Sequence, residues 1–268
     1  MKVRQSLCLS VGGLILCALA IALDTSIQRH RGPVAKDLAV AEGCVRILCA
    51  GDSITADSYP KRLQDRLDEA GLRAQVVNAG ILGHTSTEYL DYVTSSSILS
   101  RVNPHIVLLQ LGTNDVRADC NRVSTQHFVT NMRAIIALIR AHRNPNGGAP
   151  ILFIATVPPI VATGFPFTGA SRRRITDEIN PAIMDLARGT DLPVNDIHAL
   201  FEKRPHLLPE IHPSQEGYQA MANHWFEVMV RALGRGFFSD TAATQHAAPP
   251  RACNLFRCRL AARNHSSP

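Results

Sequence analysis

Four short polar segments carry the residue types that acyl transfer requires. They are GDSIT with Ser53, NAG with Gly80, GTND with Asn114 and IHP with His212. A serine hydroxyl becomes an effective nucleophile when an imidazole takes its proton, and histidine is the side-chain type whose ordinary pKa suits that task near neutrality. Each segment alone is also typical of a helix cap, a turn or an ordinary loop. Their order along the chain favours nucleophilic chemistry over four unrelated loops.

Together the four segments resemble the SGNH, or GDSL-type, hydrolase family over roughly residues 44–233. The resemblance implies a flavodoxin-like fold, with Ser53 as nucleophile and His212 as its base. It also implies an oxyanion hole made of the backbone N–H groups of Ser53 and Gly80 and the side-chain amide of Asn114. The expected activity is that of a serine esterase or lipase-like hydrolase. It would act on acyl or acetyl esters of a small molecule, a glycan or a lipid, without a metal or other cofactor.

One position departs from the family pattern. The family places an aspartate three residues before the histidine, where this chain has Pro209, and the nearest acid is Glu210. We expect Glu210 to orient the His212 ring as a tentative third catalytic residue, or else to be a solvated loop acid beside a Ser–His dyad that a backbone carbonyl supports. Asp196 is a weaker candidate and is more consistent with a structural role.

The segments that must position these residues follow an α/β pattern. Short runs rich in Val, Ile and Leu are typical of parallel strands buried on both faces, and they cover residues 45–50, 75–78, 106–111, 151–155 and, more weakly, 192–194. Amphipathic helical stretches lie between them. The alternation predicts a three-layer α/β/α sandwich with about five mostly parallel strands. Ligands bind beyond the carboxyl ends of such strands, where the serine, glycine and asparagine segments fall.

The positive charge lies at the two ends of the chain. The 268 residues carry 28 Lys and Arg against 22 Asp and Glu, a formal net charge of +6. Residues 1–36 and 235–268 each contain five basic residues and one acid, so residues 37–234 have a net charge of −2. This near-neutral body has few aromatic residues, and we therefore expect no nucleic-acid partner. Nucleotide binding is disfavoured because no glycine-rich phosphate-binding motif follows the first strand.

The N-terminus predicts export. Lys2 and Arg4 precede an uncharged run over residues 7–23 that ends in small residues. A cleaved signal peptide is favoured over a retained anchor that tethers the chain to a membrane, and a buried helix fits less well because the run has no polar face. Residues 24–43 are expected to be a linker, 44–236 the hydrolase domain and 237–268 a disordered tail. The protein would be secreted, periplasmic, or anchored with its domain outside the cytoplasm.

Three further features of the sequence bear on function. The missing aspartate leaves open a non-catalytic binding module of the same fold, for glycan or cell-envelope ligands. Phe165 and Phe167 lie in a loop that would favour an apolar acyl chain if both lined the pocket. The Arg172–Arg174 run is typical of a solvated face, and Asp52 and Asp115 are expected to cap loops.

Overall fold

The computed structural model describes residues 44–144, 147–161 and 163–239. Within them, one sheet is formed by β1 (Val45–Gly51), β2 (Ala74–Gly80), β3 (Ile106–Gln110), β4 (Ile151–Ala155) and β5 (Val194–Asn195). Its order is β2-β1-β3-β4-β5 and every neighbouring pair is parallel. This is the strand order of flavodoxin-like folds, and the predicted fold class is confirmed.

Helices connect the strands and cover both faces of the sheet. In chain order they are α1 (Ser53–Ala56), α2 (Tyr59–Glu69), α3 (Ser86–Ser95), α4 (Ile98–Val102), α5 (Thr125–Ala141), α6 (Gly169–Arg174), α7 (Asn180–Thr190), α8 (Ile197–Lys203), α9 (Gln215–Leu233) and α10 (Gly236–Ser239). A π-helical turn over Ile175–Ile179 joins α6 to α7. Pro181 lies just after it and has no N–H for regular helical bonding, which accounts for the irregular turn.

The core consists of two apolar layers, one on each face of the sheet. On one face, β1 packs through Ile47 and Cys49 against Leu63 of α2 and Trp225 of α9, all of them fully buried. On the other face lies α5, whose buried stripe runs over residues 128–139. All five residues of β3 are buried, because this central strand is covered on both faces. The continuous apolar runs of the sequence follow from this double burial.

The packed domain extends beyond the predicted boundary at residue 236. Phe238 of α10 is fully buried and belongs to the same apolar layer as Trp225. The predicted signal segment and linker, and the predicted tail from residue 240 onward, lie outside the described residues. Among the described helices, none combines the length and apolarity needed to cross a membrane.

The segment that carries His212 is closed by a contact between its two ends. The backbone N–H of Ser214 donates to the Leu207 carbonyl at 2.9 Å, and the Ser214 hydroxyl caps α9 by accepting from the Gly217 N–H at 3.1 Å. A Cβ at Gly217 would lie 2.2 Å from the Leu207 carbonyl oxygen. Glycine is therefore required for α9 to approach this closely.

Substituting Gly217 by alanine tests this close approach. We expect Gly217→Ala to lower the free energy of unfolding by about 1–3 kcal/mol, because the new methyl group overpacks against backbone that cannot give way. Urea unfolding would measure the loss. Gly189→Ala in α7 is the matched control, since a Cβ there meets nothing within 4 Å, and it should leave stability unchanged or raise it. Equal changes in the two variants would contradict the steric argument.

Candidate active site

The turn between β1 and α1 presents Ser53 at the carboxyl edge of the sheet. β1 ends at Gly51, and Asp52 caps α1 by accepting a hydrogen bond from the Ile54 N–H at 3.0 Å. Ser53 is thus the first residue of the helix, and only 9% of its surface is exposed. The N–H groups of a first helical turn have no intrahelical acceptor, so the backbone of Ser53 can also serve as a donor to a ligand.

His212 contacts Ser53 from a loop near the C-terminal end of the described chain. Its Nε2 atom lies 2.8 Å from the Ser53 Oγ, although the two residues are 159 positions apart in the chain. His212 itself is exposed, whereas Pro213, which follows it, is buried. This distance allows the serine hydroxyl to pass its proton to the imidazole when Nε2 is unprotonated. The structure therefore brings together the serine and histidine expected to form the catalytic pair.

The structure does not bring Glu210 to His212. Both residues are exposed, and no hydrogen bond or ion pair among the described residues joins them. Asp196, the weaker candidate, caps α8: its carboxylate accepts from the Ala199 N–H at 3.1 Å and from the Thr156 hydroxyl at 2.9 Å. Asp196 therefore has the structural role that the sequence favoured, and His212 has no carboxylate partner in this arrangement of the described chain.

Asn114 lies in the segment after β3, four residues beyond the strand end, and β3 is the neighbour of β1 in the sheet. It is 4% exposed, and its side-chain Nδ2 donates to the carbonyl oxygen of His84 at 3.1 Å. A primary amide carries two N–H groups, so this bond uses one of them and the second is available to a ligand. The same bond holds the loop of residues 81–84, which follows β2, against the asparagine. Asn114 thus fits the expected role as a donor to an oxyanion.

Gly80 has a different role from the one expected. Its backbone N–H donates to the side-chain oxygen of Asn78 at 2.9 Å, so this donor is engaged within the protein. A Cβ at Gly80 would lie 2.2 Å from the backbone nitrogen of Ala56, which shows that the glycine lets the end of β2 pack against α1. In this arrangement Gly80 serves close packing, and the structure does not support its predicted place in the oxyanion hole.

A second glycine, Gly83, lies in the loop that follows Gly80 and was not among the predicted site residues. Gly83 has a φ of +76°, and a side chain there would meet nothing within 4 Å. It immediately precedes His84, whose carbonyl accepts the hydrogen bond from Asn114. The backbone of Gly83 therefore lies on the loop beside the asparagine amide. The only signal in the sequence was that NAGILGH contains two glycines.

Two buried carboxylates flank the catalytic residues. Burial raises the pKa of Asp52 from 3.8 to about 7 and that of Asp115 from 3.8 to about 6. Asp115 accepts from the Ser86 N–H at 3.0 Å and so connects the loop after β3 to the start of α3. Both aspartates cap backbone N–H groups, as the sequence predicted. No cluster of three His, Cys, Asp or Glu side chains within residues 44–144, 147–161 and 163–239 is placed to share a metal ion.

One residue of the arginine run after β4 departs from the predicted solvated face. Arg174 is buried, and its guanidinium donates to the backbone carbonyls of Asp115 at 3.0 Å and Val123 at 2.9 Å. Arg172 is exposed, but its Nε donates to the Ile160 carbonyl at 2.6 Å. The prediction was wrong for Arg174, whose guanidinium satisfies carbonyls of segments distant in sequence, whereas Arg172 and Arg173 are exposed. Arg174 and Arg172 fix the loops that follow β3 and β4.

A family model described as the GDSL-like Lipase/Acylhydrolase family matches residues 49–220. The match includes the serine, glycine, asparagine and histidine segments and covers more than half of the chain. The chain therefore belongs to the GDSL-like lipase/acylhydrolase family, a class of carboxylic ester hydrolases. This confirms the family resemblance seen in the sequence.

Two curated proteins are similar to the chain. A multidomain esterase from Ruminococcus flavefaciens is 25% identical over 240 residues, which cover 73% of this chain and 30% of that protein. An acetylxylan esterase from Xylanibacter ruminicola is 25% identical over 211 residues, covering 68% of this chain and 42% of that protein. The chain spans less than half the length of either relative.

Solved structures share the fold. A carbohydrate acetylesterase family member from Sinorhizobium meliloti superposes with a TM-score of 0.59 at 19% sequence identity, covering 70% of this chain and 98% of that one. An acetylxylan esterase from Geobacillus stearothermophilus gives a TM-score of 0.58 at 19% identity, with 69% and 94% covered. The likeness at these identities is one of fold, and it agrees with the three-layer architecture described above.

The raised pKa of Asp52 predicts a pH-dependent stability. A carboxyl group whose pKa is higher in the folded state than in the unfolded chain stabilises the fold at low pH, and that contribution is lost as the pH rises from about 4 to about 7. Asp52→Asn keeps an oxygen that can cap α1 but removes the titration. We therefore expect the Tm of the variant, relative to the wild type, to rise between pH 4.5 and 7 and to level off above.

Thermal unfolding over this pH range measures the effect, and Asp91→Asn on α3 serves as the control because Asp91 is exposed. A difference between Asp52→Asn and wild type that does not change with pH would show that the Asp52 carboxyl does not titrate as its burial predicts.

Proposed function

We propose that the domain is a serine esterase that removes acetyl groups from carbohydrate esters. The observation that carries the proposal is the 2.8 Å contact between Ser53 Oγ and His212 Nε2, at the sheet edge where Asn114 also follows its strand. Membership of the acylhydrolase family supports ester cleavage. The names of the similar proteins, which include two acetylxylan esterases, support acetylated carbohydrate as the substrate.

In the first half-reaction Ser53 takes up the acyl group. Its Oγ attacks the ester carbonyl carbon while its proton passes to Nε2 of His212, which gives a tetrahedral intermediate with a negatively charged oxygen. The intermediate collapses by breaking the bond between the carbonyl carbon and the alcohol oxygen. His212 returns the proton to that oxygen, so the sugar hydroxyl leaves neutral and an acetyl-serine remains.

In the second half-reaction water replaces the sugar. His212 removes a proton from the water as its oxygen attacks the acetyl-serine carbonyl, and a second tetrahedral intermediate forms. Collapse of this intermediate returns the proton from His212 to the Ser53 oxygen and releases acetic acid. The exposure of His212 gives water direct access to Nε2 once the sugar has left.

Donors for the oxyanion come from three loops. The backbone N–H of Ser53 and the free N–H of the Asn114 amide are two of them. We place the third donor on the loop of residues 81–84, where Gly83 lies next to the carbonyl that Asn114 holds. This replaces Gly80, whose N–H is bonded to Asn78.

The geometry favours a Ser–His dyad over a triad with Glu210. The ring of His212 is placed by its loop, whose ends are joined through Leu207 and Ser214, and no carboxylate contacts it among the described residues. Glu210 remains the acid nearest in sequence. The same absence favours, as a second candidate, a binding module of this fold that has lost its activity.

The N-terminal sequence supports a location outside the cytoplasm. The basic residues and the uncharged run before residue 24 are typical of a signal peptide or signal anchor. We propose that the esterase domain acts on substrates there, as a secreted or periplasmic protein or on a membrane anchor.

Substituting the proposed catalytic residues tests the esterase directly. Wild-type residues 1–268 should hydrolyse 4-nitrophenyl acetate, and Ser53→Ala and His212→Ala should each lose at least about 10³-fold in kcat because the nucleophile or its base is gone. Glu210→Gln should lose less than threefold if the pair is a dyad. Circular dichroism confirms that each variant is folded. A folded but inactive wild type would instead support the binding module.

Asn114→Ala tests the oxyanion hole. Loss of one donor that acts mainly in the transition state lowers kcat by about 10²- to 10³-fold, with a smaller change in KM. The control is Asn131→Ala, because the Asn131 amide donates to Ser86 and Thr87 on α3 and does not contact Ser53. An Asn114→Ala variant with an unchanged kcat would remove the asparagine from the mechanism.

A further inference from the structure

The loop between β4 and α6 ends in a tight hairpin that holds one aromatic ring in solvent. Gly164 and Phe167 exchange two backbone hydrogen bonds of 2.7 and 2.6 Å, so that Phe165 and Pro166 form the tip. Phe167 is only 9% exposed and anchors the hairpin in the protein, whereas Phe165 is 77% exposed. The sequence predicted one role for both phenylalanines, but Phe167 is buried in the protein and Phe165 faces solvent.

The hairpin is fixed to the rest of the domain on both sides of its tip. The Ala118 N–H donates to the Pro166 carbonyl at 2.8 Å, which ties the tip to the loop after β3. Arg172 donates to the Ile160 carbonyl at 2.6 Å and so holds the start of the same loop. The exposed ring of Phe165 thus stands on an anchored support.

This support leaves the sheet at the edge that carries the active site. β3 is the one strand between β1 and β4 in the sheet. Neighbouring strands are about 4.8 Å apart, so β1 and β4 end about 10 Å from each other. The loops that carry Ser53 and Phe165 therefore leave the same edge of the sheet. Ala118, which holds the hairpin, follows Asn114 by four residues. The hairpin is therefore tied to the loop that carries Asn114, at the edge of the sheet where Ser53 lies.

We propose that Phe165 is a stacking platform for a sugar ring of the carbohydrate whose ester Ser53 attacks. This inference rests on the proposed function. A pyranose presents C–H groups on its faces and hydroxyl groups at its rim, so one face can cover the aromatic ring while the hydroxyl groups remain hydrated. Sugar units that extend from the acetylated residue at Ser53 along this edge of the sheet would pass over the hairpin.

Other occupants fit this surface less well. A protein partner buries about 800 Å² on each side of a stable interface, far more than one ring on a two-residue tip provides. An acyl chain gains its free energy of binding in an enclosed apolar pocket, and a side chain that is 77% exposed does not form one. A sugar chain needs only an open aromatic face.

The platform predicts a selective loss in Phe165→Ala. For acetylated xylo-oligosaccharides kcat/KM should fall about three- to tenfold through a higher KM, the range that one lost ring contact gives. Hydrolysis of 4-nitrophenyl acetate should not change, because this substrate has no sugar to stack. Phe165→Trp should keep the KM close to that of the wild type, because tryptophan also offers an aromatic face. Leu138→Ala is the control, since Leu138 is an exposed apolar residue on α5 and should change neither substrate.

A binding measurement makes the test independent of turnover. Calorimetric titration of Ser53→Ala with unacetylated xylohexaose should give a Kd that rises about three- to tenfold when Phe165→Ala is added. An unchanged Kd and KM, an equal loss on both esters, or a shift confined to the preference between acetyl and octanoyl esters would each overturn the platform. An inactive wild type that still shows the Phe165-dependent Kd would refute the esterase and leave the platform standing.

Discussion

The hydrogen bond between Ser53 and His212 depends on how α9 is docked to the rest of the domain. Its two residues lie 159 positions apart, so nearly the whole described fold must form before the pair exists. Ser53 begins α1, the short helix that precedes α2, and His212 lies in the loop that leads into α9. These two helices pack on the same face of the sheet, where Arg62 of α2 donates to Gln215 and Gln219 of α9. The contact between the helices therefore sets the distance between nucleophile and base.

A second network positions the other side of the site. Asn114 is held to the loop after β2, and Asp115 links the same segment to the start of α3. Arg174 donates to the Asp115 carbonyl and brings the helix after β4 to the same point. Burying a carboxylate and a guanidinium so deeply requires hydrogen-bond partners for both, which the surrounding backbone supplies. The loops after β2 and β3 and the helix α6 are consequently joined to one another by hydrogen bonds.

Much of the fold was predictable from the sequence because strands buried on both faces leave continuous apolar runs. The serine and histidine were predictable because few side-chain types can form a nucleophile and its base. The glycine of the proposed oxyanion hole was not predictable. Gly80 and Gly83 are both glycines of one short motif, and they differ only in backbone conformation and in their contacts with distant backbone. Arg174 and Phe238 escaped prediction for a related reason, since burial of either depends on segments far away in the chain.

Among the residues that the structure describes, no carboxylate contacts His212, which is consistent with the exposed position of this residue. In a buried triad, an acid orients the imidazole and stabilises the imidazolium where water cannot. His212 is exposed, so solvent can stabilise the charged ring. Orientation is supplied by the chain itself: Leu208 and Pro213 are buried on either side of the loop, and Ser214 closes it on Leu207. Solvent and a loop held at both ends can thus supply the stabilisation and the orientation of the imidazole that an acid provides in a triad.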